Sequence, residues 1–159
     1  MTSYHFRPVA FGEIASTMTF IAISSETRLS KEEEHAIRAQ LERACSSSST
    51  QTLSLACFNR FSLMGVGIYF IDQLVFRDAR RLYVEDVYTP PNRTDVAEAL
   101  IQRLALLAVN EQCECMEWSS MDYLFTDRLP SQAAPLGGNA DGTKTYRLTG
   151  ASLIALAHT

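Results

Sequence analysis

Two adjacent carboxylates, Glu85 and Asp86, sit inside an otherwise apolar and aromatic stretch, Leu82-Tyr83-Val84-Glu85-Asp86-Val87-Tyr88. A carboxylate placed there can hold an ammonium group and take the proton that a free amine must lose before it attacks a carbonyl. The same pair has a plainer reading. Successive strand side chains face opposite sides, so one acid meets solvent and the other a local cation. Cys113 and Cys115 fall two apart, which puts both thiols on one face of a strand. With Cys45 and Cys57 they fit no zinc or thioredoxin spacing, so a core strand and no metal site are expected. His5, His35 and His158 are far apart in the sequence and match no ligand or triad spacing. The serines from Ser46 to Ser49 read as loop, not as a nucleophile site.

The elements that must position these residues follow from periodicity. A short strand is expected at 4–9. Phe11, Ile14, Ala15, Met18 and Ile21 recur at helical spacing. Ser30 with Glu33 forms a capping box that opens a second helix with Ile37, Leu41 and Ala44 on its inner face. Strands are expected at Leu53 to Phe58, Met64 to Phe70 and Leu82 to Thr89, the last stopped by Pro90-Pro91. Arg77 to Arg81 reads as a charged turn. The longest helix has Asp95 as its N-cap and a broad apolar face of Leu100, Ile101, Leu104, Leu107 and Ala108. Cys113 to Ser119 is a strand, 121–142 is irregular, Lys144 to Leu148 is a strand, and Ala151 to Ala157 closes as a helix. This order gives an α/β fold, a mixed central sheet with helices on both faces, in a single domain over 1–159.

Composition excludes several classes. The 159 residues are 47% hydrophobic and 20% charged, with a net charge of −4. No Lys/Arg run reaches the density of a nucleic-acid or membrane footprint. The N-terminal segment has no signal-like apolar run, and Leu104 to Val109 is too short to span a bilayer. A reduced, cytoplasmic protein is expected.

Several segments in order carry a resemblance. Gly67-Ile68-Tyr69-Phe70 is followed by Leu82-Tyr83-Val84-Glu85-Asp86-Val87-Tyr88, then by Glu117-Trp118-Ser119, then by Tyr146-Arg147-Leu148-Thr149-Gly150 with Leu153. Together they resemble the GNAT N-acetyltransferases, and among these the diamine (spermidine/spermine and thialysine) branch. The likeness runs over almost the whole chain, from Phe6-Arg7-Pro8 onward. It implies the GNAT fold, acetyl-CoA as cofactor, a small primary amine as substrate and a homodimer paired through the C-terminal region. It implies that Glu85 assists deprotonation and that Glu85, Asp86 and Tyr83 line the amine site. It also implies that backbone groups around Val87 and Thr89 hold the pantetheine, with Arg93 and Thr94 in the turn that meets the diphosphate.

The sequence departs from that family at two places. GNAT proteins carry a glycine-bearing turn here, because glycine lets backbone N–H groups approach a diphosphate at a helix N-terminus. This chain reads Pro90-Pro91-Asn92-Arg93-Thr94-Asp95 instead, with no glycine between Gly67 and Gly137. The turn is also about two residues short of the branch pattern. Asp95 and Glu98 put negative charge where a diphosphate would sit. Losing two or three hydrogen bonds to a charged group, at about 1.5–3 kcal/mol each, costs roughly 3–9 kcal/mol. That is on the order of 10² to 10⁶ in affinity. Second, the family tyrosine that protonates the leaving thiolate falls near Ser131, beside Pro130. Tyr123 is the nearest phenol and the candidate substitute acid. Two functions follow: an acetyltransferase with impaired or lost activity, or a non-catalytic binding or interaction module on the same fold.

Overall fold

A computed structural model describes residues 3–25, 28–46, 52–74, 76–119 and 144–159, and the backbone of 134–138. In chain order the elements are β1 (His5–Arg7), a 3-10 turn (Phe11–Glu13), α1 (Ile14–Ser24), α2 (Lys31–Cys45), β2 (Thr52–Asn59) and β3 (Ser62–Gln73). There follow β4 (Arg80–Tyr88), α3 (Thr94–Asn110), β5 (Cys113–Ser119), β6 (Ala134–Gly138), β7 (Lys144–Thr149) and α4 (Gly150–Ala157). The seven strands hydrogen-bond in the order β1-β2-β3-β4-β5-β7-β6. β4 and β5 run parallel, whereas β1–β2, β5–β7 and β6–β7 are antiparallel. The sheet is therefore mixed, and α3 is the crossover that a parallel β4–β5 pair requires.

Three boundaries differ from the sequence reading. β4 begins at Arg80, so only part of the expected turn at Arg77 to Arg81 is a turn. α3 begins at Thr94, and the Arg93 carbonyl accepts from Val96 and Ala97 at 3.1 and 3.2 Å. Arg93 thus takes the capping position, and Asp95 lies inside the first turn. β6 occupies 134–138, where proline and glycines argued for irregular chain. It ends the sheet order, and an edge strand tolerates a proline that an inner strand would not.

The residues form two compact units. The first comprises Met1–Tyr69 and Asp86–Leu100. In it Ile14, Met18 and Ile21 of α1 and Ile37 and Leu41 of α2 pack on Ala56, Val66 and Ile68. α2 starts where the capping box places it. Ser30 Oγ accepts from the Glu33 N–H at 3.1 Å, and the Glu33 carboxylate accepts from the Ser30 N–H at 2.7 Å. The opposite side of β3 receives α3. A Cβ on Gly65 would lie 2.8 Å from Leu100 Cδ1 and 2.9 Å from Val96 Cγ1. Val66 and Ile68 face α1 and α2 while Gly65 faces α3, so helices cover both faces of this part of the sheet.

The second unit comprises Phe70–Glu85 and Ile101–Thr159. Leu104, Ala105 and Ala108 of α3, Met116 and Trp118 of β5, Leu148 of β7 and Leu153 of α4 are buried. β7 pairs with β5 from Cys115↔Thr149 to Ser119↔Thr145. Trp118 stacks on Tyr146 with ring centres 6.0 Å apart. Cys113 and Cys115 are both buried, the core-strand placement that their spacing suggests.

Candidate functional site

β4 carries the acidic pair. Its burial alternates through Leu82 and Val84, then resumes out of phase at Val87 and Thr89. One residue too many lies between the two runs, the offset that a β-bulge produces. Glu85 and Asp86 stand at that offset, and both are half-buried. The arrangement of one acid in solvent and one inside therefore does not hold. Beyond the offset, the Thr89 methyl lies on the α3 side, close to Gly65, while Tyr88 packs against the α1–α2 cluster. Asp86 shares the side of Tyr88 by alternation. Val87 and Thr89 are 1% and 7% exposed, so only their backbone can meet a ligand.

The turn from β4 into α3 is closed on itself. The Arg93 N–H donates to the Pro90 carbonyl at 3.0 Å, and the Val96 and Ala97 N–H groups donate to Arg93. Pro90 and Pro91 have no N–H to offer. That leaves the amides of Asn92, Thr94 and Asp95 for an anion. The Arg93 side chain is engaged as well. It donates from Nε and Nη2 to the two Asp95 oxygens, both at 2.9 Å, and from Nη2 to the Tyr4 hydroxyl at 2.8 Å. Tyr4 in turn donates to Asp95. The Arg93 guanidinium first, and the Tyr4 hydroxyl second, hold the Asp95 carboxyl well below the usual carboxylate range. Asp95 raises the Arg93 pKa in return. The partial positive charge of the α3 N-terminus and the one cation of the turn are thus answered by a carboxylate of the chain itself. These residues do not fit a diphosphate: there is no glycine cradle, few amides remain, and a fixed negative charge occupies the place.

Tyr83 belongs to a polar layer within the second unit. Its ring stacks on Phe70 at 5.0 Å, and its hydroxyl lies 2.6 Å from Ser119 Oγ. Beside it runs a chain of charges. Arg81 grips Asp72 from Nε and Nη2 at 2.7 and 2.9 Å, and donates from Nη1 to Glu117 at 2.6 Å. Arg147 donates from Nε to the other Glu117 oxygen at 2.6 Å. The Glu117 side chain is 2% exposed. Two acids and two arginines make this group electroneutral, and both lobes of the buried carboxylate are met. Burial pushes the neighbouring Cys115 thiol up to about 11, with Glu117 adding to the effect. Burial likewise pushes Cys57 up to about 12. Neither thiol has the character of a nucleophile at neutral pH.

The sequence-derived residues therefore fall into separate settings. Glu85 and Asp86 meet at the β4 offset. Arg93 and Thr94 open α3, with Arg93 engaged by Asp95 and Tyr4. Tyr83 is bound to Ser119. Tyr123 and Ser131 lie outside the described residues. The charge chain through Glu117 escaped the sequence reading. Its signal was a carboxylate between Met116 and Trp118 on a strand of otherwise buried residues, which calls for a cationic partner on each adjacent strand.

No protein-family model matches the sequence, and no curated protein sequence does. Solved structures do match in fold. An aminoglycoside N(6')-acetyltransferase from Legionella pneumophila aligns at a TM-score of 0.71, with 7% identity over 99% of this chain and 96% of that one. A putative GNAT-family acetyltransferase from Desulfovibrio desulfuricans aligns at 0.70, with 14% identity over 92% of this chain and 99% of that one. The PaiA N-acetyltransferase from Thermoplasma acidophilum, in complex with coenzyme A, aligns at 0.67 with 10% identity, covering 93% and 99%. At such identities the likeness shows the fold, and that fold is the one of the GNAT acetyltransferases. Among the described residues, no helix is long and apolar enough to cross a membrane.

Proposed function

We propose that this chain is a GNAT-fold, amine-binding protein in which acetyl transfer from acetyl-CoA to a small primary amine is impaired or lost. The observation that carries the reading is the Arg93–Asp95–Tyr4 clamp at the start of α3. In the fold's nucleotide-binding members that place must receive a diphosphate, and here a carboxylate stands in it. The amine side of the site is less altered. Glu85 and Asp86 remain half-buried on β4, where carboxylates attract an ammonium group more strongly than in open water. Diamines are the substrate class we assign, from the likeness of the β4 and β5 segments to that branch. Glu85 would bind the ammonium group and accept its proton. Tyr123 is the proposed acid of any residual activity.

Calorimetric titration of acetyl-CoA and free coenzyme A, with and without a diamine, tests this. Diamine binding that is lost in Glu85→Gln, with coenzyme A binding weaker than about 1 mM, is the expected result. Micromolar coenzyme A binding would overturn the impaired reading. Absence of diamine binding would leave the fold as a plain interaction module.

A further inference from the structure

Phe61 and Phe76 are 100% and 98% exposed, where an isolated phenylalanine side chain gains nothing from water. Each sits at the tip of a turn between two strands, and each has a charged neighbour. Beside Phe61 stands Arg60, exposed and held at φ 54, a left-handed conformation that an arginine adopts only under constraint. Two residues after Phe76 stands Asp78, also exposed. Neither Arg60 nor Asp78 makes an ion pair among the described residues. The two tips are therefore alike in apolar content and opposite in charge.

Both tips are built to hold their shape. At the first, Arg60 and Phe61 border a cavity of about 410 Å³ whose wall includes Phe58 and Arg7. The Arg7 guanidinium lies 4.3 Å over the Phe58 ring and is fixed by two bonds to Glu13, at 2.6 and 2.7 Å. Arg7 is thereby neutralised, and Arg60 is left as the cation that can answer an acid. At the second, the Leu74 N–H donates to the Ala79 carbonyl at 2.8 Å, and the Arg77 N–H to the Leu74 carbonyl at 3.0 Å. The Arg77 side chain ties the turn to Glu114 at 2.7 Å. Phe76 and Asp78 thus project from a pinned turn.

We infer that this protein self-associates by seating the Phe76 ring of one copy in the Phe58–Phe61 cavity of another, with Asp78 paired to Arg60. The occupant is a second copy because the chain itself carries the complement of the cavity in both shape and sign. The contact is heterologous, since the two surfaces differ. Each aromatic side chain buries about 150–250 Å², so the patch falls short of the roughly 1,000 Å² of a stable interface. The association is correspondingly weak and reversible, with a dissociation constant of about 0.1–1 mM.

Sedimentation velocity on the full chain, over concentrations up to about 1 mM, reads it. The wild type should show a concentration-dependent rise in sedimentation coefficient. Phe61→Ser and Phe76→Ser should each weaken association at least about tenfold, with unchanged thermal unfolding because both positions are exposed. Arg60→Glu and Asp78→Arg should each lose association alone, and an equimolar mixture of the two variants should regain it. A wild type that stays monomeric throughout overturns the inference. So does association that survives both serine substitutions, or a mixture that fails to recover.

Discussion

Arg93 and Asp95, two residues apart where α3 begins, are joined by a bidentate ion pair with both bonds at 2.9 Å. The pair is partly exposed, so its own contribution to stability is about 1 kcal/mol or less. Its consequence for ligands is larger. Asp95→Asn removes the carboxylate from the helix N-terminus and returns the Arg93 charge to the turn. Coenzyme A affinity should rise by about tenfold, the effect of about one charge-assisted hydrogen bond to a phosphate. Thermal unfolding should hardly move. Calorimetry of the variant beside the wild type checks this, and equal affinities would remove the clamp as the cause of weak binding.

A second ion pair sets a pH dependence. Glu13 accepts from both Arg7 nitrogens and from the Ala10 N–H at 2.9 Å. Arg7 first, and the Ala10 amide next, lower its pKa to about 2. The folded value lies below the unfolded one, so the stabilisation is present above the ordinary carboxylate range and is lost as pH falls from about 4.5 to about 2. Solvent screening limits it to about 1 kcal/mol, because both side chains are well exposed. Urea unfolding of Glu13→Gln should show the wild type more stable at about pH 7, with the difference shrinking by about pH 3. A constant difference at both values would sink the assignment.

The buried charge chain predicts a contrast between two ion pairs. Glu117 is the shared counter-charge of Arg81 and Arg147, and its side chain is 2% exposed. Glu117→Gln leaves two guanidiniums against Asp72 alone and should cost about 3–5 kcal/mol. Arg77→Ala breaks the Arg77–Glu114 pair, whose side chains are 66% and 43% exposed, and should cost under about 1 kcal/mol. Equilibrium denaturation of both variants tests the ranking. Equal losses would mean that burial does not set the worth of these pairs.

What the sequence made legible depended on how local its signal was. The Ser30–Glu33 box and the α1 and α2 stripes were readable because their spacing lies within a few turns of helix. β5 was readable because buried and polar residues alternate in it. The start of α3 was misread by one residue, since Asp95 has the composition of a cap but its carboxylate is turned to Arg93 and Tyr4. Tyr4 lies ninety-one positions away from Asp95, and no local pattern announces such a partner. The same holds for Glu117, whose arginines come from strands before and after it. β6 was hidden because Pro135 and Gly137-Gly138 are strand-breaking signals that an edge position forgives. The acidic pair was found, but the offset that half-buries both acids comes from the packing of β4 as a whole.

Gly65 offers a last test of how α3, which carries the Arg93 turn at its head, is seated. An added Cβ there would fall 2.8 Å from Leu100 Cδ1, 2.9 Å from Val96 Cγ1 and 3.1 Å from Thr89 Cγ2. Leu100 and Val96 are fully buried, so neither can swing into free space. Gly65→Ala must therefore push α3 away from β3, an overpacking that costs about 1–3 kcal/mol. Gly12 makes the matched control, because a Cβ on it meets nothing within 4 Å. Gly12→Ala should be neutral or stabilising by up to about 1 kcal/mol, through the unfolded chain. Pairing Gly65→Ala with Val96→Ala should recover part of the loss by vacating one of the two closest contacts. Denaturant midpoints for the three variants decide it. If Gly65→Ala is no worse than Gly12→Ala, α3 does not lie as close to β3 as these contacts place it.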